Sequence, residues 1–148
     1  MGKAVFLDRD GTINIDKKYL YKIEEFEFLP GVLNGLRWFK EAGYLLVIIT
    51  NQSGIGRGYY TEQQYYELEN WMLEKLEKAG AGIDAVYHCP HLPDAPIEKY
   101  RKMCNCRKPK KGIGSSSWRS KAIKDLSYRP NPVKCSIISV VDIFLIIL

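Results

Sequence analysis

A short apolar run, Ala4 to Leu7, stops abruptly at two carboxylates one residue apart, Asp8 and Asp10, followed by Gly11 and Thr12. Such a run reads as a buried strand, and the glycine lets the backbone turn sharply where the strand ends. A second unbroken run, Tyr44 to Ile49, ends in Thr50-Asn51-Gln52-Ser53. Near-continuous apolar strands belong inside parallel sheets, which need a crossover between neighbouring strands. The crossover is present: Leu29-Pro30-Gly31 breaks the chain, and Val32, Leu33, Leu36, Trp38, Phe39 and Ala42 then recur at helical spacing up to Gly43. The expected fold is therefore α/β, with a Rossmann-like parallel sheet and flanking helices. Both polar loops then lie at the carboxyl ends of strands, where open α/β sheets bind ligands. Two acids aimed at one point favour a hard divalent cation such as Mg²⁺ between them. A carboxylate held there can also attack phosphorus to form an aspartyl-phosphate.

Other segments fill in the frame. Ile13 to Phe28 mixes charge with aromatics in weak alternation and reads as an irregular turn and a small hairpin over the site. Thr50 to Gly58 carries a hydroxyl, amides and three glycines, the makings of an anion cradle. Thr61 followed by Gln64 is a capping-box pattern opening a helix to about Ala79, with Tyr65, Leu68, Met72, Leu73 and Leu76 inward. Ile83 to His88 reads as a third strand. The net charge of +5 is divided between residues 1–111 (17 basic, 15 acidic) and 112–148 (5 basic, 2 acidic). Basic side chains are scattered apart from Arg107 to Lys111, so no nucleic-acid footprint is expected, and the field suits a small phosphorylated ligand. No signal pattern opens the chain, and the reading is a cytoplasmic monomer without membrane contact.

Four cysteines occur, at 89, 104, 106 and 135. Cys89, His91, Cys104 and Cys106 make a complete tetrahedral Zn²⁺ set with no open position, which implies a structural metal. It would staple the proline-bearing loop Leu92 to Met103, too long and polar to order itself. Arg107 and Lys108 follow at once, so the clasp would aim two cations at the phosphate site.

Asp8-Arg9-Asp10-Gly11-Thr12 resembles the first motif of the haloacid dehalogenase (HAD) superfamily of phosphotransferases. With Thr50-Asn51-Gln52, the Cys/His clasp and Cys106-Arg107-Lys108-Pro109, the chain resembles the histidinol-phosphate and heptose-bisphosphate phosphatase branch. Phe26 to Val32, Asn51 to Gly58 and Trp71-Met72 are most similar to the D-glycero-D-manno-heptose 1,7-bisphosphate 7-phosphatases. The resemblance runs from about Ala4 to Lys110. It implies Asp8 as nucleophile, Asp10 as general acid and then base, and Thr50 and Lys108 as neutralisers of the transferring phosphoryl group. It implies Mg²⁺ on Asp8 and the backbone carbonyl of Asp10, and substrate contacts at Asp16 to Tyr19, Thr50 to Ser53, Arg107 and Lys108. No large cap domain is expected. The family usually has glycine before the tyrosine, where this chain has Lys18. The alternatives left open are a histidinol-phosphate phosphatase and a non-catalytic zinc-stapled module that binds a phosphorylated ligand.

Residues 1–110 thus read as the phosphatase core and 111–148 as a divergent tail forming an incomplete end of the same domain. In place of the family's strand ending in Gly-Asp with further acids come Gly112 to Ser117, a helix over Ser120 to Leu126, and Arg129-Pro130-Asn131-Pro132. Ile137 to Val141 reads as a strand, which makes Asp142 the candidate for the remaining Mg²⁺ carboxylate. No glycine precedes it and no second acid follows, so weak Mg²⁺ binding and low turnover are expected. Ile143 to Leu148 would be an exposed apolar segment prone to aggregation.

Overall fold

The computed structural model describes residues 3–108. The readings of Asp142, Cys135 and the tail elements fall outside the described residues.

Three parallel strands lie in the order β1 (Lys3–Leu7), β2 (Tyr44–Asn51), β3 (Ala85–Cys89). Helix α1 (Val32–Glu41) connects the first two. A short helix α2 (Ser53–Arg57) and the long α3 (Glu62–Lys78) connect the second and third. Val5 pairs with Leu46 and Leu7 with Ile48 in the β1–β2 ladder. Alternate residues share a face, so these four side chains form one apolar surface. They join Leu36 of α1 and Leu68, Met72 and Leu76 of α3 in one buried cluster. The expected α/β architecture is therefore present.

Local chemistry accounts for the helix boundaries. Thr61 accepts from the Gln64 backbone N–H while the Gln64 side chain accepts from the Thr61 N–H, a complete capping box. Tyr65, Leu68, Met72 and Leu76 are buried as the periodicity implies, and Leu73 packs partly buried against the same core. β3 runs one residue beyond His88 and ends on Cys89. No helix among the described residues is long and apolar enough to cross a membrane.

Two expectations need correction. The segment over residues 13–28 is not a hairpin. Asn14 bridges Phe28 at the stem, a 3₁₀ turn occupies Ile23–Glu25, and no ladder forms between them. Ile13, Leu20 and Phe26 are drawn into the core, and burial of these three outweighs regular pairing. Lys18 and Tyr19 also take left-handed backbone (φ 54° and 57°), which interrupts any extended run. The second correction concerns Thr50 to Gly58, which is not a bare loop but carries α2, with Gly54, Ile55 and Gly56 buried.

The Lys18 conformation yields a measurable expectation. A β-carbon in left-handed backbone is costly, whereas glycine accepts it freely. Lys18→Gly should stabilise the fold by about 0.5–1 kcal/mol, the relief of strain exceeding the added freedom of the unfolded chain. Denaturant unfolding measures this, and a loss of stability would show that the lysine side chain contributes more than its backbone strain costs.

Candidate active site and metal clasp

The carboxyl ends of β1 and β2 bring Asp8, Asp10, Thr50, Asn51 and Gln52 together, and the segment leaving the Cys/His clasp adds Lys108. Asp8 is the more open acid, its side chain 38% exposed, and its Oδ2 lies 2.5 Å from Lys108 Nζ. Its Oδ1 accepts from the Arg9 backbone N–H at 2.8 Å. Lys108 Nζ also donates to the carbonyl of Ile49 at 3.0 Å, which fixes the ammonium over the end of β2. Asn51 grips the backbone of the same residue: Lys108 N donates to Asn51 Oδ1 at 3.1 Å, and Asn51 Nδ2 donates to the Lys108 carbonyl at 3.3 Å. An amide that pairs with both backbone groups of one residue works as a clamp, so Asn51 sets where the lysine stands.

Asp10 sits in a cage of donors. Arg9 Nη2 donates to both of its oxygens at 2.9 Å and Arg9 Nε to Oδ1 at 3.2 Å. Asn14 Nδ2 reaches Oδ1 at 3.0 Å, and Gln52 Nε2 reaches Oδ2 at 3.1 Å. Gln52 Nε2 also donates to Thr50 Oγ1 at 2.9 Å. Both Thr50 and Gln52 are almost wholly buried. Charge-assisted hydrogen bonds of this kind hold a carboxyl group in one orientation.

Behind the acid, Arg9 is itself buried and lies 5.8 Å from the centre of the Tyr65 ring. Tyr65 in turn hydrogen-bonds the Glu69 carboxylate within α3, and burial pushes the Glu69 carboxyl up. Arg9, Asn14 and Tyr60 are absent from the residues singled out by sequence reasoning. A signal for the first two was available: an arginine between two acids, and an asparagine one helical turn after Asp10 and flanked by isoleucines, suit burial only with partners. Tyr60 had no such signal, because tyrosine after a glycine tract is unremarkable.

Gly54 and Gly56, read as part of an anion cradle, stand where packing leaves no room for a β-carbon. A β-carbon on Gly54 would lie 2.2 Å from Cε1 of Tyr60, and one on Gly56 would lie 2.5 Å from the Pro90 carbonyl oxygen. Ser53 is the first residue of α2 and half-buried. Asp16 and Tyr19 are exposed in the loop after β1, where Asp16 Oδ1 accepts from the Lys18 backbone N–H at 2.9 Å. Tyr19 packs edge-to-face on Tyr59 (ring centres 4.7 Å apart), and Tyr21 stacks on Tyr60 at 5.3 Å. These contacts hold the loop beside α2 and next to the two acids. Arg107 Nη1 donates to the His91 carbonyl at 3.4 Å, tying it to the clasp.

The clasp itself is compact. The ligand atoms of Cys89, His91, Cys104 and Cys106 all lie within 4.8 Å of one another. Cys89 Sγ is 3.5 Å from Cys104 Sγ and 3.1 Å from Cys106 Sγ, and Cys106 Sγ is 3.2 Å from His91 Nδ1. A tetrahedron with Zn–S bonds of about 2.3 Å has edges of about 3.8 Å, so small outward shifts would admit the ion. Burial pushes the Cys89 thiol up and the His91 imidazole down. The histidine is thus disposed to be a neutral ligand, and a cation beside the buried thiol would offset the cost of ionising it. Among the described residues this is the one group of three or more His, Cys, Asp or Glu side chains placed to hold a metal. The loop it closes is better ordered than its composition suggested. Leu92, Ala95 and Tyr100 are buried in a second apolar cluster with Ile55, Tyr60 and Tyr65, and a 3₁₀ turn spans Glu98–Tyr100.

Comparison with known proteins gives a consistent set of relatives. A Photorhabdus laumondii D-glycero-beta-D-manno-heptose-1,7-bisphosphate 7-phosphatase is 51% identical over 110 residues, 74% of this chain and 58% of that protein. The Haemophilus ducreyi enzyme of the same name is 50% identical over 129 residues, 86% of this chain and 68% of that protein. The chain therefore spans 58% to 68% of the length of these two relatives. Among solved structures, the B. bronchiseptica D,D-heptose 1,7-bisphosphate phosphatase, complexed with magnesium and phosphate, is 33% identical with a TM-score of 0.68. It matches over 80% of this chain and 63% of that one. A HAD-like phosphatase from Mesorhizobium loti has a TM-score of 0.73 at 32% identity, over 82% of this chain and 58% of that one. No family model matches the chain.

Proposed function

Because the chain belongs to the family of the D-glycero-beta-D-manno-heptose-1,7-bisphosphate 7-phosphatases, we propose that it removes the position-7 phosphate of D-glycero-D-manno-heptose 1,7-bisphosphate through a phosphorylated Asp8. One observation carries the reading. The open Asp8 carboxylate stands 2.5 Å from the Lys108 ammonium, next to an Asp10 carboxyl oriented by three side chains. A nucleophile, a positive charge and an aligned proton carrier are what phosphoryl transfer asks of a protein.

In the proposed sequence an Asp8 oxygen bonds to phosphorus, and the bond from phosphorus to the sugar oxygen breaks. Protonated Asp10 gives its proton to that leaving oxygen. The resulting Asp10 carboxylate then takes a proton from the water that attacks the aspartyl-phosphate, releasing inorganic phosphate and freeing Asp8. Lys108 and the Thr50 hydroxyl offset the charge on the transferring group. Asp16 to Tyr19, Ser53 and Arg107 are proposed as substrate contacts, with Arg107 offering its planar fork to the second phosphate. Asn51 and Gln52 would contribute through the clamp and the cage already described.

Hard, partly exposed oxygen suits magnesium, which binds through one or two carboxylates, phosphate oxygens and water. Asp8 and the carbonyl of Asp10 would hold it, Asp142 being proposed as a further carboxylate, and the ion would neutralise charge on the phosphoryl oxygens. With so few protein ligands, turnover is expected to be low and to rise with added Mg²⁺, and Asp142→Asn should raise the concentration required. Zinc is proposed on Cys89, His91, Cys104 and Cys106 as a structural ion. The protein is read as a cytoplasmic monomer, with residues 111–148 belonging to the same domain as the core.

Phosphate release from the heptose bisphosphate and from histidinol phosphate, compared at saturating Mg²⁺, tests the substrate. Preference for the heptose is expected, and preference for histidinol phosphate would move the chain to the sister activity. Binding of either without phosphate release would favour a non-catalytic module.

A further inference from the structure

We infer that Tyr60, acting through the Gln52 amide, is a positioning residue that holds Asp10 in line for proton transfer. The inference rests on the phosphatase reading for the role of Asp10, while the relay itself is a matter of geometry. The Tyr60 hydroxyl donates to Gln52 Oε1 at 2.6 Å. A primary amide has its oxygen on one side and its NH₂ on the other. With the oxygen engaged by Tyr60, Gln52 must present its NH₂ to Asp10 Oδ2 (3.1 Å) and Thr50 Oγ1 (2.9 Å). Tyr60 is 4% exposed and Gln52 2% exposed, so water does not compete for either end.

Tyr60 is itself held in place. Its ring stacks on Tyr21, fills the space left by Gly54, and packs in the cluster with Ile55 and Tyr65. Burial pushes its phenol up to about 12, so the hydroxyl remains a donor at neutral pH. Without that donor the amide is held at its NH₂ end alone, by Asp10 and Thr50. A flipped Gln52 would turn its carbonyl oxygen toward the Asp10 carboxylate, replacing an attraction with a repulsion. This gives the buried tyrosine after the glycine tract a purpose beyond packing.

Tyr60→Phe tests the relay, since it keeps the ring and removes only the hydroxyl. One readout is the side-chain amide signal of Gln52 in ¹⁵N-labelled full chain, observed by NMR without any substrate. The signal is expected to shift and to exchange faster with water in Tyr60→Phe, and to stay unchanged in the exposed control Tyr66→Phe. The other readout is kinetic, with heptose bisphosphate and excess Mg²⁺. A roughly tenfold fall in kcat is expected, equivalent to one buried hydrogen bond, with KM within about twofold. An unchanged Gln52 signal in Tyr60→Phe overturns the relay, as does a parental kcat. A parent protein that releases no phosphate contradicts the phosphatase reading instead, and the Gln52 signal then decides the relay alone.

Discussion

Asp8→Asn is expected to reduce phosphate release by roughly 10³-fold or more while leaving the fold intact, because loss of a nucleophile removes the covalent route altogether. Asparagine keeps the shape of the side chain but cannot attack phosphorus, and it no longer balances the Lys108 ammonium 2.5 Å away. Both partners are partly exposed, 38% and 29% at their side chains, so losing the pair should change stability by no more than about 1 kcal/mol. The thermal midpoint should therefore stay within a few degrees of the parent. Activity at the parental rate in Asp8→Asn would remove Asp8 from the mechanism, and gross unfolding would mean that the ion pair organises the site.

Removing zinc should have the largest effect on stability. The clasp joins the end of β3 to the segment carrying Arg107 and Lys108, across a loop that includes Leu92, Ala95 and Tyr100. Structural zinc contributes folding free energy directly. A loss of only about 3 kcal/mol would lower the midpoint by roughly 10 °C in a chain of this size. Chelation, or Cys104→Ser, should produce at least that shift, and should lower turnover too because Lys108 lies two residues beyond Cys106. Cys135→Ser should leave zinc content unchanged. The second apolar cluster gives the loop a core of its own, so chelation is expected to loosen it without unfolding the sheet. Metal analysis finding no zinc in protein purified without chelator would contradict this picture.

Much of the frame was legible because periodicity and capping are local. The runs Ala4 to Leu7 and Tyr44 to Ile49 are strands, α1 begins at Val32 after Leu29-Pro30-Gly31, and α3 begins after Thr61. The four residues of the clasp were legible for a different reason, since thiols and imidazoles have few other tasks at such spacing. Illegible features were those set by distant partners. The glycines of Thr50 to Gly58 suggested an open loop, but their purpose depends on Tyr60 and on Pro90. The aromatic segment over residues 13–28 alternates weakly, like a hairpin, but the pull of the core on Leu20 and Phe26 decided its path. The resemblance implies Asn51 and Gln52 as substrate contacts, and the hydrogen bonds of their amides to Lys108, Asp10 and Thr50 had no signal in the sequence. Lys18 is the reverse case. The resemblance marked it as a departure from glycine, and its left-handed backbone supplies the reason glycine is suited there.

The central claim, that Asp8 becomes phosphorylated, is most directly tested by trapping. The full chain would be mixed with heptose 1,7-bisphosphate and excess Mg²⁺, quenched, and treated with borohydride, which reduces an acyl phosphate to an alcohol. Peptide mass analysis should then find homoserine at position 8 only when substrate and Mg²⁺ are both present, and never in Asp8→Asn. Phosphate release with residue 8 still aspartate after every quench time would contradict the covalent mechanism.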